Sequence, residues 1–473
     1  MSTGPTQVVT ASTLFGAATV VAAWDAGVLP RRDRTLLVVQ HNVPAPETSD
    51  DFTAGPAFSA LADRFDDVVT WNDVVAPYHP KEWRPRAADA PLWERLLRQR
   101  WDLGDAPVEL VGESVATPPT GALVSIFASA AVTVYADGLM VYGPTRFGLG
   151  HDVGGRVERV LHPDLLPGVR PTLLAEWDVP GVVVPGESFR KVVAALTDAA
   201  ERAGAAATAT LPPAGSYALV LGQYMAAIGL LTPAEEDRLH RQMVDTAAER
   251  GFTHVLLKPH PSAPRQGTGE LVEHAASRGV DLTVAPAAVL AESTFAESPP
   301  GLVVSCFSTA LATARALYDV PTAGVGTRML LERLDPYSNS NRVPAVVVDA
   351  QACGDDRWED PAQMQRLVRA MSYCQQPERL ARFRDETAAL LRELDDAELR
   401  SWFRRKRLTA LGLPGGFPVP WWRSTRLVTA ADAVDRRLLG GRLRRLAASR
   451  LPGGGEDLRA AVGVAKATVS SGG

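Results

Sequence analysis

Between Thr253 and Ser262 the chain reads THVLLKPHPS, an apolar run that meets two prolines. Val255, Leu256 and Leu257 form the kind of unbroken stretch a strand carries when both its faces are covered, the condition of a parallel sheet. Pro259 and Pro261 end it, because neither can donate to a ladder. His260 is therefore expected at the carboxyl end of a parallel strand, with little backbone freedom. Open α/β sheets place their ligands at that end. A Pro-His-Pro sequence is also simply a stiff strand exit, so the choice between the two falls to the rest of the chain.

The same texture recurs along 473 residues, a length that suggests two domains and an appendage. Apolar runs at Gln7–Thr10, Thr35–Asn42, Asp66–Trp71 and Ala106–Gly112 alternate with helical patterns such as Pro91–Trp101. Ala131–Gly143 alternates with period two around an Asp-Gly pair. After a stretch of small residues and prolines near Leu196–Ser216, a second series begins with Tyr217–Gln223. There Thr232, Pro233 and Glu235 spell a helix start. The next strands are HVLLKPHP and Val280–Pro286. Gly301–Leu317 reads as a strand turning into a helix, and VPTAGVG closes the series. Repeated βα units of this kind predict doubly wound parallel sheets. The expected segmentation is 1–196, a linker at 197–215, a second domain at 216–395, and a helical basic extension at 396–473 with a disordered end. Cys306, Cys353 and Cys374 are too few and too scattered for a disulfide framework or a zinc site, which favours a reducing compartment. The apolar amino terminus lacks the basic start of a signal peptide, and no stretch reaches the length of a membrane span.

Four short motifs carry chemistry. In VVSCFSTALATA, Ser308 and Thr309 stand where a strand becomes a helix. Free N–H groups, a partial positive charge and two hydroxyls would receive a phosphate there. Ser308 as an ordinary helix cap explains the same residues. Glu292, near the start of a helix after Pro286, could accept a ribose's two hydroxyls, or be a solvated carboxylate. Asp137-Gly138 by itself reads as a hairpin turn. At the end of a buried strand facing a cleft, however, Asp137 would serve as a general base.

Taken in order, Asp137-Gly138, His260-Pro261, the proline-glutamate element ending at Glu292, and Ser308-Thr309 resemble the motifs of bacterial sialyltransferases of GT-B fold. The phrases YADGLMVYGPTR and LLKPHPS are most similar to their polysialyltransferase-type branch. Ala136 departs from the pattern, standing where an acidic residue is usual. The resemblance covers about Gln7 to Val325. It implies two Rossmann-like domains facing a central cleft. It also implies transfer of a sialic acid or related nonulosonic acid from a CMP-activated donor to a hydroxyl of a surface glycan, with inversion. Asp137 would be the base and His260 the acid. Lys258, Pro261, Glu292, Ser308 and Thr309 would bind the donor, and Gly138, Tyr142 and Arg146 would lie on the acceptor side. No cofactor and no metal are expected.

Two rivals share these features: a CDP-glycerol glycerophosphotransferase or CMP-Kdo transferase, and a non-catalytic glycan-binding protein on the same scaffold. Only Lys258 offers a cation near His260, fewer than a diphosphate would want. The net charge of −5 is unevenly spread. Residues 404–450 hold twelve Arg or Lys against Asp432 and Asp435, leaving an acidic body. Trp402, Phe403, Trp421 and Trp422 beside arginines, and leucines interleaved with arginines near 436–446, suit a segment lying on the inner membrane surface of a cytoplasmic enzyme. Packing of that tail on the acidic body is the alternative. Nothing resembles a nucleic-acid-binding fold.

Overall fold

A computed structural model describes residues 4–204, 211–223, 225–259, 268–285 and 290–418. They divide into two compact units. The first lies within Met1–Leu334 and Asn339–Met364, the second within Asp335–Ser338 and Gln365–Gly473.

The first unit holds two sheets. Strands β1 (Thr6–Ala11), β2 (Arg34–Val39), β3 (Asp67–Thr70), β4 (Val108–Gly112), β5 (Ala131–Tyr135), β6 (Val157–Pro163) and β7 (Gly181–Val184) form one, in the order 3-2-1-4-5-6-7. Strands β8 (Ala218–Leu221), β9 (His254–Lys258), β10 (Asp281–Val284), β11 (Leu302–Ser305) and β12 (Thr322–Gly324) form the other, in the order 10-9-8-11-12. Every pairing is parallel. The expected pair of doubly wound sheets is what the chain forms. Central strands are covered on both faces, as their unbroken Val and Leu runs require: all six residues of β1 and all four of β11 are buried. Edge strands pay less attention to that rule, and β3 and β10 each leave two or more residues exposed.

Six helices matter for the site. Helix α1 (Leu14–Asp25) follows β1, and the Thr13 side chain caps it by accepting from Gly16 N–H at 2.9 Å. Helix α2 (Gly186–Arg202) leads out of the first sheet. Helix α3 (Pro233–Glu249) starts with the expected capping box between Thr232 and Glu235, with Pro233 in its first turn. Helices α4 (Ala291–Glu297), α5 (Thr309–Tyr318) and α6 (Arg342–Ala352) complete the set. The sheets are tied by buried contacts. Thr197 of α2 donates to Ser293 of α4 at 2.8 Å. A Cβ on Gly143 would lie 3.7 Å from Val343 of α6, and one on Gly324 would lie 2.7 Å from Val348 of the same helix. Helix α6 therefore touches both halves.

One reading is corrected. Asp137-Gly138 is not a hairpin turn. Gly138 is extended, at φ −151° and ψ 178°, whereas a two-residue hairpin of the primed type needs positive φ. The chain enters a 3-10 helix over Leu139–Tyr142 that exposes only Met140, which imitates alternation in the sequence. The longer stretch of the second unit starts at Gln365. Its pieces hold one another: Arg366 pairs with Glu393 at 2.7 Å, Arg369 with Glu386 at 3.3 Å, and Arg404 with Asp335 at 3.2 Å.

The described start of the basic extension belongs to that unit's core. Trp402 and Phe403 are each 1% exposed, and Arg407 donates to the Cys374 carbonyl at 2.7 Å. These residues are thus spent on packing, contrary to their expected place at a membrane surface; Arg405 and Lys406 stay exposed. Trp421, Trp422 and the later arginines lie outside the described residues. No helix among the described residues is long and apolar enough to cross a membrane. Cys306, Cys353 and Cys374 all carry free thiols.

Candidate active site

In each sheet the chain reverses its direction of winding once. The first does so between β1 and β4, the second between β8 and β11. The loops leaving adjacent strands diverge at such a point and open a crevice at the carboxyl edge.

At the first crevice, Ser12 and Thr13 follow β1 directly and Glu113 follows β4. The Ser12 N–H and Oγ both donate to Glu113 Oε1 at 2.8 Å, and Oγ also lies 2.8 Å from Oε2. One strand over, β5 ends at Tyr135, whose buried Oη stands 3.0 Å from both the Thr10 carbonyl and Glu113 Oε1. Asp137 comes two residues later and is half-buried. Thr13 Oγ1 donates to its Oδ2 across a long 3.5 Å contact. Burial, reinforced by the charges of Glu113 and Glu292 and opposed by the Thr13 hydroxyl, pushes the Asp137 carboxyl up to about 7. At neutral pH this group both takes and gives a proton readily.

At the second crevice, Gln223 follows β8 and its side chain donates to Ser305 Oγ at 2.8 Å. The Gln223 N–H donates to His240 Nε2 at 3.1 Å, which leaves that ring's other nitrogen to carry the proton. Burial lowers the His240 pKa, consistent with a neutral ring. Ser308 caps α5 by accepting from Ala310 N–H at 3.3 Å, so the ordinary capping role is filled. Ser308 and Thr309 nonetheless remain partly open at the helix start. Lys258 closes β9, buried, and Glu292 is buried near the start of α4. Burial lowers the Lys258 ammonium and raises the Glu292 carboxyl, while each charge counteracts the shift in the other. Glu292 is thus no solvated carboxylate.

The two edges meet. A Cβ built on Gly138 would lie 2.7 Å from Thr309 Oγ1, so backbone after β5 lies directly against the first residue of α5. Glu292 acts electrostatically on Asp137 from the second half. The structure thereby gathers Asp137, Gly138, Lys258, Glu292, Ser308 and Thr309 from the expected set. His260 and Pro261 lie outside the described residues, directly beyond Pro259. Tyr142, expected on the acceptor side, is fully buried, and its Oη accepts from Leu166 N–H at 3.0 Å. It braces the fold under the site and has no surface to offer a substrate. Arg146 is exposed, its guanidinium 5.2 Å from the Phe147 ring centre. Glu113, Ser12, Thr13, Gln223 and Ser305 were not anticipated. Their only signal is position, each closing a strand or lying within two residues of its end. Among the described residues no three His, Cys, Asp or Glu side chains gather as a metal's ligand set would.

Comparison with solved structures returns remote likenesses. A glycosyltransferase from Rickettsia africae ESF-5 aligns at 10% identity over 83% of this chain and 100% of its own, with a TM-score of 0.36. The GT-B domain of a sialyltransferase from Photobacterium damselae aligns at 10% identity over 72% and 96%, with a TM-score of 0.38. A UDP-glucosyltransferase from Polygonum tinctorium aligns at 13% identity over 85% and 98%, with a TM-score of 0.40. At such scores none bears on the chemistry. No match emerged among curated protein sequences. Sequence comparison at the level of families is decisive instead: residues 7–327 match the alpha-2,8-polysialyltransferase (POLYST) family, a span that takes in both crevices and every residue gathered between them. The chain is a member of the alpha-2,8-polysialyltransferase family, built on two doubly wound parallel sheets.

Proposed function

We propose that the protein is an inverting sialyltransferase that uses a CMP-activated sialic acid or related nonulosonic acid, with Asp137 as acceptor base and His260 as the acid on the donor phosphate. The acceptor hydroxyl oxygen bonds to the anomeric carbon while the bond from that carbon to the CMP phosphate breaks. Asp137 takes the hydroxyl proton. The departing phosphate gains negative charge, met by a proton or hydrogen bond from His260, by the Ser308 and Thr309 hydroxyls, and by the start of α5. Lys258 and Glu292 would hold the nucleotide side. The acceptor is a glycan or glycolipid at a cytoplasmic membrane face, reached with help from the basic segment beyond Pro418.

One observation carries this reading. Gly138 seats the β5 exit against Thr309, so the residue next to Asp137, whose carboxyl is raised to about 7, lies against the helix start that would receive the phosphate. General bases work best with a pKa near the operating pH.

The test is CMP release from CMP-N-acetylneuraminic acid with an oligosialic acid acceptor, in the presence and absence of EDTA. Turnover is expected to survive chelation. Asp137→Asn and His260→Ala should each lose on the order of 10²–10⁴-fold in kcat, with donor affinity nearly intact in the first. Native-like turnover by either variant removes that residue from the mechanism, and loss of turnover in EDTA removes metal independence.

A further inference from the structure

Glu113 has no role in the mechanism above, yet it is the most heavily contacted carboxylate at the first crevice. Ser12 meets it with a backbone N–H and a hydroxyl, and Tyr135 Oη lies 3.0 Å from its Oε1. A Cβ on Gly16, in the first turn of α1, would lie 3.2 Å from Glu113 Oε1 and 2.8 Å from Tyr135 Oη. The helix start is therefore seated on this carboxylate with no side chain between. That seating fixes Thr13, which accepts from Gly16 N–H at 2.9 Å and points its hydroxyl at Asp137. Tyr135 precedes Asp137 by two residues on the same strand exit. Asp137 thus rests on two pieces, the Ser12–Thr13 turn and Tyr135, and Glu113 holds both.

We infer that Glu113 is a positioning residue for Asp137, acting through the turn and tyrosine it anchors and through its own negative charge. This rests on Asp137 being the acceptor base. Among the described residues, the titratable groups facing Asp137 are Glu113 from the β4 exit, Glu292 from α4, and Tyr135 from its own strand. Lys258 from β9 faces Glu292. Of the two carboxylates, Glu113 is the stronger influence on Asp137. Its charge makes ionisation of Asp137 harder, so the ionised form is a more avid proton acceptor than an ordinary aspartate.

The test is the pH profile of kcat/KM between pH 5 and 9 for the full chain, Glu113→Gln and Asp137→Asn, with CMP-N-acetylneuraminic acid and an oligosialic acid acceptor. Glutamine matches glutamate in shape and keeps an acceptor for the Ser12 N–H while deleting the charge. The acidic limb should move down by about one pH unit. Plateau kcat should fall roughly 10-fold, as a weaker base implies, with donor KM unchanged. An acidic limb that stays in place, at whatever rate, overturns the inference. Asp137→Asn judges the base separately: if it turns over normally, the mechanism fails whatever Glu113 does. Should Glu113→Gln not fold, as judged by its melting curve, Glu113→Asp withdraws the charge by one methylene. Its limb should move the same way by less, and an unmoved limb there is the same refutation.

Discussion

Asp137 is an aspartate held away from the charge state that water would give it. Enclosure by the β5 exit and the carboxylates of Glu113 and Glu292 raises it to about 7, whereas an unfolded aspartate titrates near the ordinary carboxylate value. Between those two values the folded chain binds more protons than the unfolded chain. The contribution of Asp137 to stability is therefore whole below the unfolded value and is lost as pH rises through about 7. Asp137→Asn cannot ionise and escapes that loss. It should melt above the native chain at pH 8.5, by on the order of 1–2 °C, and the gap should close towards pH 5. Differential scanning fluorimetry across this range is sufficient. A gap of constant size would mean that Asp137 titrates as an ordinary surface carboxylate, and one that opens towards acid that the fold favours its charged form; either outcome refutes the raised value. The sign matters for function, because a residue that destabilises the fold when charged is kept there by what its charge does.

At the scale of elements, the strand exit of β5 and the start of α5 are set against each other with no room to spare. Thr309 is β-branched, so its hydroxyl cannot swing away cheaply from a new methyl group at Gly138. Gly138→Ala should separate the two motifs by a fraction of an ångström and lower kcat/KM on the order of 10²-fold, as small misplacements of reacting groups do. Combined with Thr309→Ala the space returns, so the double variant should lose no more than Thr309→Ala alone. If the two losses instead multiply, the contact is incidental. Such a contact could not be read from the chain, since it joins residues far apart in sequence. What could be read were elements buried on both faces: β1, β2, β4, β8, β9 and β11 announce themselves as Val and Leu runs. Strand β6, VERVLHP, hides behind Glu158 and Arg159, and β7 is an edge strand with Gly181 and Val183 exposed. Motif residues beside a glycine or proline were equally visible. Glu113 was not singled out even though it follows Gly112, because a lone glutamate after a strand is commonplace on a surface. Its significance comes from Ser12, a hundred residues earlier, brought alongside by the parallel pairing of β1 with β4. Tyr142 shows the converse: an aromatic near a motif looks like a wall of the site, whereas its hydroxyl is engaged inside the fold.

For the whole molecule the open question is what the basic end of the chain touches, and the structure changes how to ask it. A truncation near Ser401, where the basic run begins, would remove Trp402, Phe403, Leu408 and Leu411, all buried in the second unit. Each large apolar side chain stripped from a core costs a few kcal/mol, so that variant would unfold and report nothing about membranes. The cut belongs after Pro418. Beyond it, residues 419–450 carry Arg423, Arg426, Arg436, Arg437, Arg442, Arg444, Arg445 and Arg450 against Asp432 and Asp435. At about 1 kcal/mol for each cation near an anionic leaflet, these charges suffice for reversible binding without any spanning helix. Full-length protein should float with phosphatidylglycerol-rich vesicles at low salt, release as salt rises, and ignore neutral vesicles. The chain ending at Pro418 should stay at the bottom of the gradient while turning over CMP-N-acetylneuraminic acid and a soluble acceptor at the native rate. If the full-length chain also stays at the bottom, the basic segment has another partner, and the acidic body of the same protein is the first to examine.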